Sequence, residues 1–195
     1  MIDWKKTQID CRASQESVFK QQVKIVECAN KIFSSLQNGG KLMWVGNGGS
    51  AAECQHMSAE YMVRYKKNRG PLASIALTAD TCLLTAHTND FDYETVFSRQ
   101  IEALANANDI LFAISTSGNS KNWLNAILQA REMELTVIVL TGPDTDLSES
   151  LFDYCFNIES DVTARIQEGH TLINHLICEA VETLVSQSND IAASD

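Results

Sequence analysis

Between residues 15 and 37 the apolar positions are Val18, Phe19, Val23, Val26, Ala29, Ile32, Phe33 and Leu36. They recur every three or four residues, the period of a helix with one buried stripe. Gly39-Gly40 closes the segment. The pattern predicts a long N-terminal helix over about 15–38, placed to pack along the domain or against a neighbouring subunit. The period then changes. "KLMWVG", "ASIALT" (73–78), "DILFAIST" (109–116), "TVIVLTG" (136–142) and "YCFNIE" (154–159) are short apolar runs, the mark of strands buried on both faces. Helical spacing returns over about 50–65, 93–106 and 120–133. It returns again over about 163–187, which carries Ile166, Leu172, Ile173, Leu176, Ile177, Ala180, Val181 and Leu184. Residues 80–92 read as a polar loop with a short helical piece. Strands alternating with helices predict an α/β fold around a parallel sheet of five strands. No Pro/Gly/Ser linker or internal repeat divides the chain, so 1–195 reads as one domain. Ligands of such sheets sit beyond the carboxyl ends of the strands.

Composition narrows the classes. The formal net charge is −10, which disfavours non-specific nucleic-acid and anionic-membrane binding, since both need basic surfaces. It leaves room for an anionic substrate held by a local loop or helix end. No apolar run approaches the ~20 residues of a membrane span, and the N-terminus lacks the apolar core of a signal peptide. The expectation is a cytoplasmic protein. Six scattered cysteines without a CxxC pair read as reduced, mostly buried thiols. Cys54, beside a glycine loop, is read as a small apolar filler with reactivity as the alternative.

Two loops follow strands and look built for an anion. "GNGGS" (46–50) follows the first strand, where glycines let backbone N–H groups approach closely and Ser50 can cap the next helix. It matches neither GxGxxG nor a Walker A loop. "STSGNS" (115–120) follows the third apolar run and places four hydroxyls at a strand-to-helix junction, more than capping needs. In the helix after the first loop, His56 and Glu60 stand four residues apart and share a face. That spacing suits either a surface pair or two ligands of one cation. The last helix opens with Gln167, Glu168, His170 and His175. Spacing alone puts Glu168, not Gln167, nearest His175 along that helix.

The two loops together resemble the sugar isomerase (SIS) domain family, whose members bind phosphosugars with the serine-rich loop on the phosphate. "GNGGSAAECQHMSAE" taken with "ARIQEGHTLINH" resembles its phosphoheptose isomerase branch. That resemblance implies a three-layer, flavodoxin-like fold with a five-stranded parallel sheet flanked by helices. It implies a zinc ion on His56, Glu60, Gln167 and His175, with Glu60 and His175 also handling protons. It implies substrate contacts from Asn47, Gly48, Gly49, Ser50, Glu60, Asn89, Asp90, Ser115, Thr116, Ser117, Ser120 and Gln167. His87 and His170 fall on no functional position of the family. A homotetramer with sites at subunit interfaces is implied as well, so that Gln167 and His175 could come from a neighbour.

The activity implied is an aldose–ketose isomerisation of sedoheptulose 7-phosphate to D-glycero-D-manno-heptose 7-phosphate through an enediol, feeding ADP-heptose and lipopolysaccharide core synthesis. SIS proteins also include non-catalytic phosphosugar binders, some associated with a replication initiator, and isomerases of other phosphosugars. The binders associated with the initiator lose the glutamate of the first helix and the histidine of the last, and this chain keeps Glu60 and His175. It departs from some phosphoheptose isomerases in carrying Ala164, where those have an acidic residue.

Overall fold

The five apolar runs become five parallel strands: β1 (Leu42–Gly46), β2 (Ser74–Ala76), β3 (Ile110–Ile114), β4 (Thr136–Thr141) and β5 (Tyr154–Asn157). Their order across the sheet is β2-β1-β3-β4-β5, the flavodoxin-like order. In this computed structural model, residues 1–143 and 145–192 are described. The helices are α1 (Trp4–Phe19), α2 (Gln22–Gln37), α3 (Gly49–Met62), α4 (Thr81–Asp90), α5 (Ser98–Leu104), α6 (Lys121–Glu132) and α7 (Thr163–Ala192).

Alternate strand residues feed two cores. Leu42, Trp44, Ile110, Phe112, Ile114, Ile138, Leu140 and Phe156 face a layer built from α1, α2, α3 and α7. Met43, Val45, Leu111, Ala113, Val137 and Val139 face α5 and α6, with Trp123 and Phe97 at the centre. The period-two alternation, hidden in the sequence because both sets are apolar, sorts the side chains to opposite faces. Trp44 stacks on Phe112 at 3.9 Å between ring centroids, and its indole N–H donates to Ser74 Oγ at 2.8 Å. Fully burying an apolar side chain of that kind contributes about 1.5–3 kcal/mol.

Two elements differ from the sequence expectation. The N-terminal helical region begins at Trp4 and is broken at Lys20-Gln21. At the break the Gln21 side-chain amide donates to the carbonyls of Ser17 and Asn157, while the Gln21 N–H turns to Val18 O. The Gln21 side chain thus takes the Ser17 carbonyl in place of its own backbone N–H, and the same amide reaches β5, which no local period records. The 80–92 region holds a ten-residue helix, α4, capped by Asp80, whose carboxylate accepts from Leu83 N–H at 2.9 Å. None of its residues is buried, so it carries no apolar stripe to read.

α3 and α7 lie on the same face of the sheet. α7 is fastened at its start by Ser14 Oγ, which donates to Arg165 O at 2.8 Å. This shared layer brings side chains from distant parts of the chain together.

Candidate functional site

β1 and β3 are neighbours, with Gly46 paired to Ile114 in the register. The glycine loop and the serine loop therefore leave the same end of the sheet from adjacent strands. Gly48 has φ +56° and caps α3, a backbone state that side-chain-bearing residues rarely adopt. The cap thus falls on Gly48 and not on Ser50. The helix begins at Gly49, so Ser50 lies buried in its first turn with its N–H on Asn47 O at 3.0 Å.

In the serine loop, Ser115 Oγ accepts from Gly118 N–H at 3.1 Å and so shapes the turn. Ser117 is exposed and Ser120 is the N-cap residue of α6 without a side-chain capping bond. Ser117 Oγ accepts weakly from Asn119 N–H at 3.4 Å, and the first turn of the twelve-residue α6 has no side-chain cap from Ser120, an arrangement suited to a phosphate.

Asn47 links the two loops. Its amide exchanges two hydrogen bonds with the buried Asn122 (2.8 and 2.9 Å), and its oxygen also accepts from Tyr93 O–H at 2.9 Å. Its side chain therefore acts here as a brace between β1 and α6. Asn122 and Tyr93 escaped the sequence reading, since an Asn inside a helix and a Tyr in a turn carry no pattern of their own.

The chemistry-bearing side chains meet where α3 faces α7. His56 Nε2 lies 3.4 Å from His175 Nε2 and 3.6 Å from Glu60 Oε1. The two imidazoles stand edge to face with centroids 5.0 Å apart. His56 Nδ1 sits 3.3 Å from Glu53 Oε2. A carboxylate only accepts, so it favours the proton on Nδ1 and leaves the Nε2 lone pair toward His175 and Glu60. Glu53 is held in turn by Thr171 Oγ1 (3.0 Å) and Asn174 Nδ2 (2.9 Å), both on α7. The sequence reading missed Glu53, although three residues before His56 on a helix is a facing position.

Gln167 reaches the same cleft. With Gly49, Ser50, Glu53, His56, Ala164, His170 and Thr171 it lines a pocket of about 400 Å³. A Cβ on Gly49 would stand 2.4 Å from Gln167 Nε2, so the absent side chain is what lets the amide lie against the loop. Glu168, the nearer residue by helical spacing, also lines the pocket, with its carboxylate paired to Arg165. Within one chain Gln167 meets the glycine loop and His175 meets His56. Ala164 lines the cleft, where it offers a methyl group in place of a carboxylate.

Two imidazole nitrogens, a carboxylate and an amide oxygen are donors suited to zinc. At a zinc–nitrogen distance of about 2.0–2.1 Å, two corners of a tetrahedron lie about 3.4 Å apart. The two Nε2 atoms have that spacing. Among the described residues, no group of three His, Cys, Asp or Glu side chains is placed to hold a metal ion. Gln167 supplies a donor of another type.

His170 is buried, and its Nε2–H donates to Thr141 O at 3.0 Å. Among the described residues its Nδ1 has no partner, nor do Asn174 Oδ1 and Thr141 Oγ1. Burial, against a weaker opposing pull from the Thr141 carbonyl, lowers its pKa to about 4. The unfolded chain therefore binds a proton that the folded one refuses, and stability falls as pH drops from about 6.5 to about 4. The loss amounts to roughly 3 kcal/mol. In His170→Gln, thermal unfolding followed from pH 7 to pH 4.5 should show a shallower fall than the wild type. An identical slope would refute this titration.

The remaining candidates lie elsewhere. Asn89 and Asp90, at the end of α4, are exposed and bonded to each other. Asn89 shares a pocket with Tyr93, so the region borders the glycine loop through the Tyr93–Asn47 bond without touching the α3–α7 cluster. His87 bonds Thr95. Cys54 is buried, and burial pushes its thiol far above the ordinary range, so it is the inert filler.

The family model described as the SIS domain matches residues 10–142. A phosphoheptose isomerase of Paramagnetospirillum magneticum is 49% identical over 78% of this chain and 79% of its own length. That of Helicobacter hepaticus is 46% identical over 87% of each. The solved phosphoheptose isomerase of Neisseria gonorrhoeae superposes with a TM-score of 0.82 at 39% identity, covering 91% of this chain and 95% of its own. With loops, sheet order and α3–α7 cluster all in place, the chain belongs to the SIS domain family, among the phosphoheptose isomerases.

Proposed function

We propose that this chain interconverts sedoheptulose 7-phosphate and D-glycero-D-manno-heptose 7-phosphate in the cytoplasm, supplying a precursor of ADP-heptose and the lipopolysaccharide core. The observation that carries the reading is the meeting of Glu60 and His175 around His56 Nε2, at 3.6 and 3.4 Å. The glycine loop before α3 and the uncapped serine loop leave the carboxyl end of the same sheet from adjacent strands.

Ketose-to-aldose conversion takes a proton from C1, forms an enediol and returns a proton at C2. It needs a base at carbon and proton management at oxygen. Glu60 is the base: its contact with His56 is too long for a hydrogen bond, so its oxygens stay available. His175 moves the oxygen protons. Ser115, Thr116, Ser117, Ser120 and the start of α6 hold the phosphate, and that remote binding orients the reacting carbons. Gly48, Gly49, Ser50 and Gln167 line the path between. His56, Gln167 and His175 would hold zinc, with Glu60 a ligand only in the resting state, and the metal would supply polarisation of the carbonyl and hydroxyl oxygens.

A homotetramer is part of the proposal. Trp4, Ile9, Phe19, Val23 and Val26 are exposed along α1 and α2, a line of apolar side chains that another copy would cover. Light scattering should give four times the chain mass; an active monomer would refute it.

The decisive assay is incubation with sedoheptulose 7-phosphate, followed by NMR. The expected product is the aldose heptose 7-phosphate. No turnover with zinc supplied would favour a phosphosugar-binding role. Removing metal with a chelator should abolish activity and zinc should restore it, whereas full activity in a verified metal-free sample would exclude the metal.

A further inference from the structure

We infer that the segment after α3, residues 63–70, positions both proton-handling groups, with Tyr65 setting the ring of His175 and Glu182 of α7 anchoring the segment. This rests on the function proposed above.

His175 is flanked by two rings. His56 meets it edge-on, and Tyr65 stacks on it with centroids 5.2 Å apart and planes 19° from parallel. A partly exposed histidine would otherwise turn about two side-chain torsions, and a stacked ring removes that freedom. Tyr65 is itself fixed through its backbone. Its N–H donates to Glu182 Oε1 at 3.1 Å, and those of Lys66 and Lys67 donate to Oε2 at 2.8 and 2.9 Å. Glu182 lies seven residues, about two turns, beyond His175 on one face of α7. The carboxylate that grips the loop and the imidazole under its aromatic ring therefore move as one body.

The same anchor reaches Glu60. Arg69 Nε lies 3.2 Å from Glu182 Oε1, with both side chains 2% exposed. The Arg69 guanidinium also donates to Glu60 O at 2.7 Å and Tyr61 O at 2.8 Å. Those carbonyls end α3, where helical partners run out. Burial opposes the charge on Glu182, but the three N–H groups and Arg69 outweigh it and hold the carboxyl below its usual range. One buried carboxylate thus ties the end of the Glu60 helix to the helix that carries His175. A loop serving stability alone would need no aromatic ring over His175.

The test compares Tyr65→Phe, Tyr65→Leu and Glu182→Gln. Steady-state kinetics on sedoheptulose 7-phosphate are one readout. The other is the NMR shift of the His175 ring protons in metal-free protein, which a stacked ring moves upfield. Tyr65→Phe should match the wild type in both. Tyr65→Leu should lower kcat about tenfold or more with KM little changed, as expected for a displaced reacting group. It should also move the His175 signals downfield. Glu182→Gln should move them part-way, and should lower kcat little further once Tyr65 is Leu, because the two act through one contact. Wild-type kcat and unmoved His175 signals in Tyr65→Leu would overturn the inference. So would equal losses in the Phe and Leu variants, which would assign the effect to the hydroxyl. If the wild type itself does not turn over, the functional reading fails, and the His175 shifts alone then decide the positioning.

Discussion

Glu60→Gln should reduce kcat by about a thousandfold, within the range that a positioned acid or base contributes, and leave KM for the sugar phosphate within a few-fold. The substitution keeps the size of the side chain and removes its basicity. Glu60 sits on α3, facing His56 and His175, while the phosphate-holding candidates sit on the loop after β3. Binding and proton transfer are therefore separable by residue. The measurement that checks this is loss of solvent exchange at C1 in deuterated water, alongside retained phosphate affinity. A variant that still exchanges C1 protons at the wild-type rate would remove Glu60 as the base. A variant that also loses phosphate affinity would mean that Glu60 acts by holding the loops in shape.

Gly49→Ala should lower activity about ten- to a hundredfold while shifting the melting temperature little. The new methyl would stand 2.4 Å from Gln167 Nε2, closer than packed atoms allow. The obstacle is the tip of a flexible side chain, so the fold can relieve the clash by swinging Gln167 away. The backbone at Gly49 lies inside α3 with no positive φ, so alanine is not strained there. The penalty falls on the position of one amide at the mouth of the site, where misplacement by an ångström can cost about a hundredfold in rate. Kinetics and thermal unfolding of Gly49→Ala, Gln167→Ala and the double variant decide it. If both act by losing the Gln167 amide from the cleft, the double variant should be no slower than Gln167→Ala. Additive losses would show that Gly49 serves the site in another way, and a large fall in melting temperature would show that Gln167 cannot move aside.

The strands were legible because each is a short apolar run buried on both faces, and β1 to β5 fall inside the runs that announce them. Helices with an apolar stripe, such as α6 and α7, were legible for the same reason. α4 was not, because it buries none of its residues and so leaves no period. The break at Lys20-Gln21 was not, because it is marked by the Gln21 side chain taking a helical carbonyl and reaching β5, not by any change in apolar period. Among the site residues, His56 and Glu60 show themselves as a helical pair, and the serine loop by its excess of hydroxyls. Gln167 and His175 were singled out by resemblance, since helical spacing favours Glu168. Asn122 and Tyr93 were missed because each matters only through a partner far along the chain; Glu53 faces His56 three residues on, but its fastening to Thr171 and Asn174 of α7 leaves no local pattern.

The order of the elements, the parallel sheet and the two loops at its carboxyl end follow from the sequence alone, because apolar period, glycine and hydroxyl content act locally. Which side chains meet was decided by tertiary structure. Packing α3 and α7 on one face of the sheet sets His56 against His175, 119 residues apart in the chain. It pairs Glu168 with Arg165 and lays Gln167 against Gly49. Distances of a few ångströms between such residues depend on how two helices are seated, and that seating comes from the whole core.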